Sequence, residues 1–167
     1  MRKFALIAAL ALTAALGLSA CGKKATDQDA GPQQAQQLTK PTSTSDSKAW
    51  SAYLGQLVQN NLQGMTASQP YAYLVTPGVS DDDKAQNARQ LQNVQDTVAR
   101  GVLPGNLLAF AGPVSATTAD LVTTAFKDAK PGSFKGVTVV FIGDQADQQR
   151  VADVLTPTGA TFHFVAM

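Results

Sequence analysis

The sequence contains no glutamate, a single histidine and a single cysteine. One cysteine, Cys21, cannot form a disulfide within the chain. One histidine, His163, cannot build a zinc site of the two- or three-histidine kind. The folded part of the chain must therefore derive its stability from a hydrophobic core.

Short catalytic motifs are also absent. The sequence has no G-x-S-x-G, no C-x-x-C, no G-x-x-x-x-G-K-[ST] and no G-x-G-x-x-G. Ser115 follows Gly112-Pro113, where proline replaces the open backbone that a nucleophile elbow or a phosphate loop needs. We predict no catalytic residues, no metal site and no cofactor, and we expect a protein that is not an enzyme.

The N-terminus carries the most specific pattern. Met1-Arg2-Lys3 leads into the apolar run from Phe4 to Leu18, which is shorter than the roughly 20 residues of a membrane span. Cations, an apolar run and small residues before a cleavage point are typical of an export signal. Leu18-Ser19-Ala20-Cys21 resembles the lipobox of a bacterial lipoprotein precursor.

This resemblance implies that residues 1–20 are a signal peptide, cleaved between Ala20 and Cys21, and that Cys21 is lipidated. Two or three acyl chains hold a protein on a bilayer stably, whereas one chain holds it weakly. In enteric members of this class an Asp after the cysteine favours the inner membrane, so Gly22 favours the outer membrane, facing the periplasm. A plain signal peptide cut after Ala20 and an uncleaved helix are the alternatives.

The net charge of the mature chain limits the kinds of partner that it is expected to bind. Without Arg2 and Lys3 the chain from Cys21 has 11 basic residues against 12 acidic ones. This near-neutral balance, with no basic cluster beyond Lys23-Lys24, argues against nucleic acid as a partner. The expected partners are the membrane, through Cys21, and an envelope protein.

Composition divides the mature chain into two parts. Residues 21–46 are rich in Gln, Thr, Ser, Asp, Gly and Pro and are predicted to be a lipidated cysteine followed by a flexible tether. Residues 47–167 carry regularly spaced apolar residues and are predicted to form a single α/β domain. Its first element is an amphipathic helix through Trp50, Tyr53, Leu54, Leu57, Val58 and Leu62.

A strand, turn and helix pattern then recurs. Tyr71–Val75, Leu107–Ala111 and Val137–Ile142 are apolar runs, each followed by a glycine-bearing turn and a helical stretch, and Thr161–Val165 is a final strand. Alternating strands and helices predict a small doubly wound, mainly parallel four-stranded sheet with helices on both faces. The strand order is not specified by the sequence.

In open parallel sheets, ligands favour the crevice beyond the carboxyl ends of the strands. The polar and glycine residues predicted at that edge form a possible ligand site, with capping and turn formation as the alternative roles. They are Thr76, Gly78, Ser80, Asp81, Gly112, Ser115, Thr117, Gly143 and Asp144.

Three further groups have structural alternatives. Asp81-Asp82-Asp83 with Asp144 and Asp147 offer oxygen ligands for Mg²⁺ or Ca²⁺, but acids are also favoured where helices begin. His163 is placed on the face of its strand opposite Phe162 and Phe164, where a structural role is favoured over that of a general base. Trp50, Tyr53, Tyr71 and Tyr73 are expected to fill the core rather than form a binding face.

Taken together, these patterns favour a lipid-anchored lipoprotein that acts as a non-enzymatic binding or accessory module of the periplasm. The alternatives are a small-molecule-binding or hydrolytic domain that uses Ser115, Asp81 and Asp144, and an inhibitor or immunity lipoprotein. The sequence does not identify a ligand, nor does it determine the oligomeric state.

Overall fold

The computed structural model describes residues 39–62 and 70–167. The predicted signal peptide, Cys21 and residues 21–38 of the predicted tether lie outside the described residues. The elements, in chain order, are α1 (Ser47–Leu62), β1 (Pro70–Leu74), α2 (Asp81–Arg100), β2 (Leu107–Ala111), α3 (Ser115–Phe126), β3 (Thr138–Gly143), α4 (Gln145–Leu155), a 3₁₀ turn (Thr156–Thr158) and β4 (Thr161–Ala166).

The four strands form one parallel sheet in the order β1-β2-β3-β4. Leu108 of β2 lies between Tyr71 of β1 and Val139 of β3, and Phe141 of β3 pairs with Phe164 of β4. The α/β class, the parallel sheet and the helices on both faces are confirmed.

The winding differs in detail from a doubly wound sheet. Because the chain crosses the sheet in one direction, right-handed connections place α2, α3 and α4 on the same face. Of the helices that the structure describes, α1 is the one that packs on the opposite face.

Each face of the sheet has its own core, because successive strand residues point to opposite sides. On the face of the crossover helices, Leu108, Phe110 and Phe141 pack against Val94 of α2 and Val122 of α3. The opposite core consists of α1 residues packed on the two central strands. Its buried members are Trp50, Tyr53, Leu54, Leu107, Ala109, Ala111, Val140 and Ile142.

The helix α1 covers the centre of the sheet but not its edges. On the α1 face, β1 exposes Pro70, Ala72 and Leu74, while β4 exposes Thr161 and His163. One margin of this face is therefore apolar and the other is polar.

Residues 40–46, which we call the entry segment, precede α1 and contact the domain. The Trp50 Nε1–H donates to the Ser43 carbonyl at 2.9 Å, and the Lys40 Nζ lies 3.8 Å from the Asp144 Oδ1. The Asp46 Oδ1 accepts from the Ala49 N–H at 3.0 Å, which caps α1. At the other end of the chain, the Met167 N–H donates to the Gly143 carbonyl at 3.1 Å.

Helix ends agree with the sequence signals where those are strongest. Ser80 and Asp83 form a capping box at the start of α2, and Gly101 ends this helix. Among the helices in the described ranges, none combines the length and apolar character needed to cross a bilayer.

Candidate functional site

The predicted edge residues lie at the carboxyl ends of the strands and divide into two adjacent groups. Thr76, Gly78, Ser80 and Asp81 follow β1, and Thr117 of α3 reaches them through a hydrogen bond from its Oγ1 to the Pro77 carbonyl at 3.3 Å. Gly112, Ser115, Gly143 and Asp144 lie at the ends of β2 and β3.

The physical reason is the strand order. A crevice opens at the edge of a sheet where neighbouring crossovers leave towards opposite faces. Here successive crossovers leave towards the same face, so the described strands contain no such reversal.

In the group after β1, side chains are engaged with the backbone. The Thr76 N–H donates to the Asn87 Oδ1 at 2.9 Å, and the Asn87 Nδ2 donates to the Thr76 carbonyl at 3.1 Å. The Thr76 hydroxyl also contacts the Asn87 Oδ1, at 2.9 Å. The Asp83 N–H donates to the Ser80 Oγ at 3.0 Å, while the Asp83 Oδ2 accepts from the Val79 and Ser80 N–H groups, both at 3.2 Å. This turn is held by α2.

Two members of this group are placed differently. Asp81 is fully exposed and forms an ion pair with Lys84 at 3.4 Å. Gly78 adopts a φ of +76°, the left-handed region that side chains disfavour, which explains the glycine in this turn.

In the second group, Ser115 links two helices. Its hydroxyl oxygen accepts from the Asp144 N–H at 2.8 Å, and the hydroxyl donates to the Asp147 carboxylate. The residue is only 3% exposed. Ser115 is the first residue of α3, and its two hydrogen bonds connect α3 to the start of α4.

Arg150 extends this network. Its guanidinium contacts the Asp147 Oδ1 at 2.8 Å, the Ala116 carbonyl at 2.9 Å and the Asp120 carboxylate. The hydrogen bond with Asp120 raises the pKa of Arg150 above its ordinary value, burial opposes the rise, and the contact with Asp147 adds to it. The network joins α3 to α4 at the carboxyl edge.

The hydroxyl of Ser115 is thus committed to structural hydrogen bonds. A serine nucleophile needs a neighbouring base that takes its proton and an oxygen that faces the substrate. Here the hydroxyl oxygen already accepts an amide hydrogen, and the residue is buried. Among the described side chains, no buried nitrogen or oxygen atom is left without a hydrogen-bond partner.

A crevice of about 680 Å³ lies beside the group that follows β1. It is lined by the end of the entry segment, the start of α1, the end of β1, the turn and first residues of α2, and Pro113. Trp50 and Leu54 provide a buried apolar floor, whereas Leu74 and Val79 are 41% and 75% exposed at the rim. Pockets of about 300–1,000 Å³ with mostly apolar walls are typical ligand sites.

No family model, curated protein or solved structure matches this chain.

The other candidate groups are separated by the fold. The acids of residues 81–83 begin α2, whereas Asp144 and Asp147 lie at the start of α4, beyond the intervening strand β2. In the part of the chain that the structure describes, no three His, Cys or Asp residues are grouped so that they could hold a metal ion.

His163 and the aromatic residues are placed as follows. His163 is exposed in the middle of the edge strand β4, on the face opposite Phe162 and Phe164, as predicted. Trp50 and Tyr53 are buried on the α1 face, whereas Tyr73 stacks on Phe110 on the other face. Tyr71 was expected in the core, but it is 41% exposed, on the same face as Tyr73. The four aromatic side chains therefore do not form a shared binding surface.

Several residues of the edge were not singled out from the sequence. Asn87, Asp120 and Arg150 act across elements, so nothing in their local sequence marks them. Leu74 and Val79 are large apolar residues close to the turn at Pro77-Gly78, and both remain exposed.

Proposed function

We propose that the protein is a lipid-anchored lipoprotein of the cell envelope that binds another envelope protein without catalysing a reaction. The observation that carries the binding part is the crevice. Its apolar floor of Trp50 and Leu54 continues into the exposed rim residues Leu74 and Val79, next to polar groups that are occupied by hydrogen bonds. Such a surface offers apolar contact and shape rather than reactive groups.

The location rests on the sequence alone. Leu18-Ser19-Ala20-Cys21 follows an apolar run of the length expected for an export signal. Lipidation of Cys21 would hold the domain on the membrane through residues 22–38.

Fractionation tests the anchor. We expect the wild-type chain to sediment with outer membranes and to incorporate a palmitate analogue. Cys21→Ala should remove the label and move the protein out of the membrane fraction. If Cys21→Ala stays in that fraction, the anchoring proposal fails.

Site-specific photocrosslinking in intact cells tests the binding surface. A photoreactive residue at Val79 reports on the crevice, and one at Leu103 is a matched control because both positions are about three-quarters exposed, 75% and 76%. Leu103 precedes β2, at the amino edge of the sheet. We expect one specific protein adduct from position 79 and none from position 103. Equal labelling from both positions would remove the crevice from the proposal.

The geometry gives less support to a hydrolytic function. Ser115, which follows the turn from β2 into α3, has its hydroxyl bonded to Asp144 and Asp147 at the start of α4. Asp81 and Asp144 stand at different helix starts, and each contacts a lysine rather than Ser115 through its carboxylate. No described contact favours the inhibitor or immunity function over other forms of protein binding.

A further inference from the structure

The crevice combines an apolar floor with an acidic rim. Asp83 is the charged side chain in its wall, and its Oδ2 is the atom that caps α2, so Oδ1 is the oxygen available to a ligand. Asp46 lies next to wall residues of the entry segment, and Asp81 and Asp82 lie next to those of the α2 turn.

Positive charge at the rim is smaller. Lys84 follows the wall residue Asp83 and is paired with Asp81, and Lys48 follows the wall residue Ser47. The N-termini of α1 and α2 contribute about half a positive charge each. Four carboxylates therefore outweigh two lysines and two helix ends, and the rim carries net negative charge.

We propose that the crevice binds a short segment of the partner protein in which a bulky apolar side chain is next to a lysine or an arginine. The apolar side chain lies on Trp50 and Leu54, between Leu74 and Val79, and the cation lies against the Asp83 carboxylate. This inference rests on the proposed binding function and adds the chemistry that is recognised.

A peptide segment fits better than an enclosed small molecule, because the crevice is open at its rim. Leu74 and Val79 keep 41% and 75% of their surface exposed, so both side chains are accessible to a polypeptide without unfolding of any element. Further binding by strand addition along β1 is restricted, since the Gln90 Nε2 already donates to the Leu74 carbonyl at 2.7 Å.

The chain supplies its own reporter. Trp50 is the only tryptophan in the sequence and forms part of the crevice floor. Titration of the chain from Gly22 onward with acetyl-Gly-Phe-Arg-Gly-amide, followed by Trp50 emission and by calorimetry, measures binding directly. The comparison peptides replace the arginine with neutral citrulline or with glutamate.

We expect the arginine peptide to bind about two- to fivefold more tightly than the citrulline peptide, and the glutamate peptide to bind most weakly. Raising the salt concentration should reduce the first difference, because exposed charges are screened. Asp83→Asn keeps an oxygen for the cap of α2 and should abolish the preference for arginine. Asp96→Asn, at an exposed site on the same helix, should not change it.

Leu74→Ala should weaken all three peptides about fivefold, and Leu103→Ala should weaken none, although both leucines are exposed. Equal affinity for the arginine and citrulline peptides, tighter binding of the glutamate peptide, or no binding at millimolar concentration by either readout would overturn the inference. A partner crosslinked at Val79 would in that case still support the proposed function. Conversely, peptide binding by a chain that captures no partner in cells would leave the crevice chemistry intact and overturn the cellular function.

Discussion

We expect the substitution Gly112→Ala to destabilise the domain, because an added Cβ would clash with atoms at the end of β1 and in α3. This glycine follows β2 and faces the end of β1. A Cβ added there would lie 2.5 Å from the Thr118 Oγ1 and 2.6 Å from the Val75 carbonyl oxygen. Thr118 is fully buried, and the Val75 N–H is bonded to the Ala111 carbonyl at 2.8 Å. The contact therefore involves backbone that is part of the sheet.

The expected cost of Gly112→Ala follows from this contact. Real Cβ atoms do not approach other atoms closer than about 3.0 Å, so the ends of β1 and β2 must shift. Gly112 does not adopt a positive φ, so alanine can take up its backbone conformation. The loss of stability is therefore expected to come from the steric clash. Overpacking of this kind destabilises a protein by about 1–3 kcal/mol.

Gly55→Ala is the matched control, because no atom lies within 4 Å of a Cβ added at this site in α1. Alanine should raise the free energy of unfolding by about 0.5–1 kcal/mol through its higher helix propensity. Urea unfolding of the chain from Gly22 onward, followed by the emission of buried Trp50, measures both changes. A loss below about 0.5 kcal/mol for Gly112→Ala, or any loss for Gly55→Ala, would refute the reasoning.

Further predictions concern single side chains. Ser115→Ala leaves the Asp144 N–H without its acceptor, so the free energy of unfolding in urea should fall by about 1–3 kcal/mol; an unchanged midpoint would contradict the linking role. Gln90→Ala frees the Leu74 carbonyl at the outer edge of β1, so light scattering should detect self-association at high concentration, and a strictly monomeric variant would argue against edge protection. Burial raises the pKa of Tyr53 above its ordinary value of 10.0. The folded state therefore holds this proton more tightly than the unfolded state, and stability should fall as the pH rises above 10.0, less steeply in Tyr53→Phe; parallel profiles would contradict this.

The fold class could be predicted because local periodicity reflects burial. Leu107–Ala111 is an uninterrupted apolar run and is a strand buried on both faces. Leu91, Val94 and Val98 recur at helical spacing and pack on one core. These patterns depend on neighbours within one element, which the sequence displays directly.

The strand order could not be predicted, because it depends on contacts between segments that are distant in the sequence. Whether β1 pairs with β2 or with another strand is decided by contacts between segments more than 30 residues apart. Apolar runs of similar composition do not distinguish these pairings. The order is sequential, so successive crossover helices lie on one face of the sheet.

In the candidate site, interactions within one helix turn could be predicted from the sequence, whereas those between helices could not. Ser80 and Asp83 could be identified as a capping box, because both partners lie within one turn. The hydrogen bonds from Ser115 to Asp147 and from Arg150 to Asp120 join different helices. The spacing of residues along the sequence therefore does not predict them. Of the predicted edge residues only Thr76 and Ser80 line the crevice, and residues 44 and 45 of its wall belong to the segment that the composition assigns to the tether.

The two ends of the described domain meet at neighbouring residues. Lys40, near its beginning, is paired with Asp144, and Met167, the last residue, is bonded to Gly143. The two ends of the domain therefore lie close together in space, and proteins with this arrangement tolerate circular permutation. A short linker from Met167 back to Lys40 would let new termini be opened in the loop between α2 and β2, on the far edge of the sheet. In such a permutant the crevice could be moved away from any anchor without altering one of its walls.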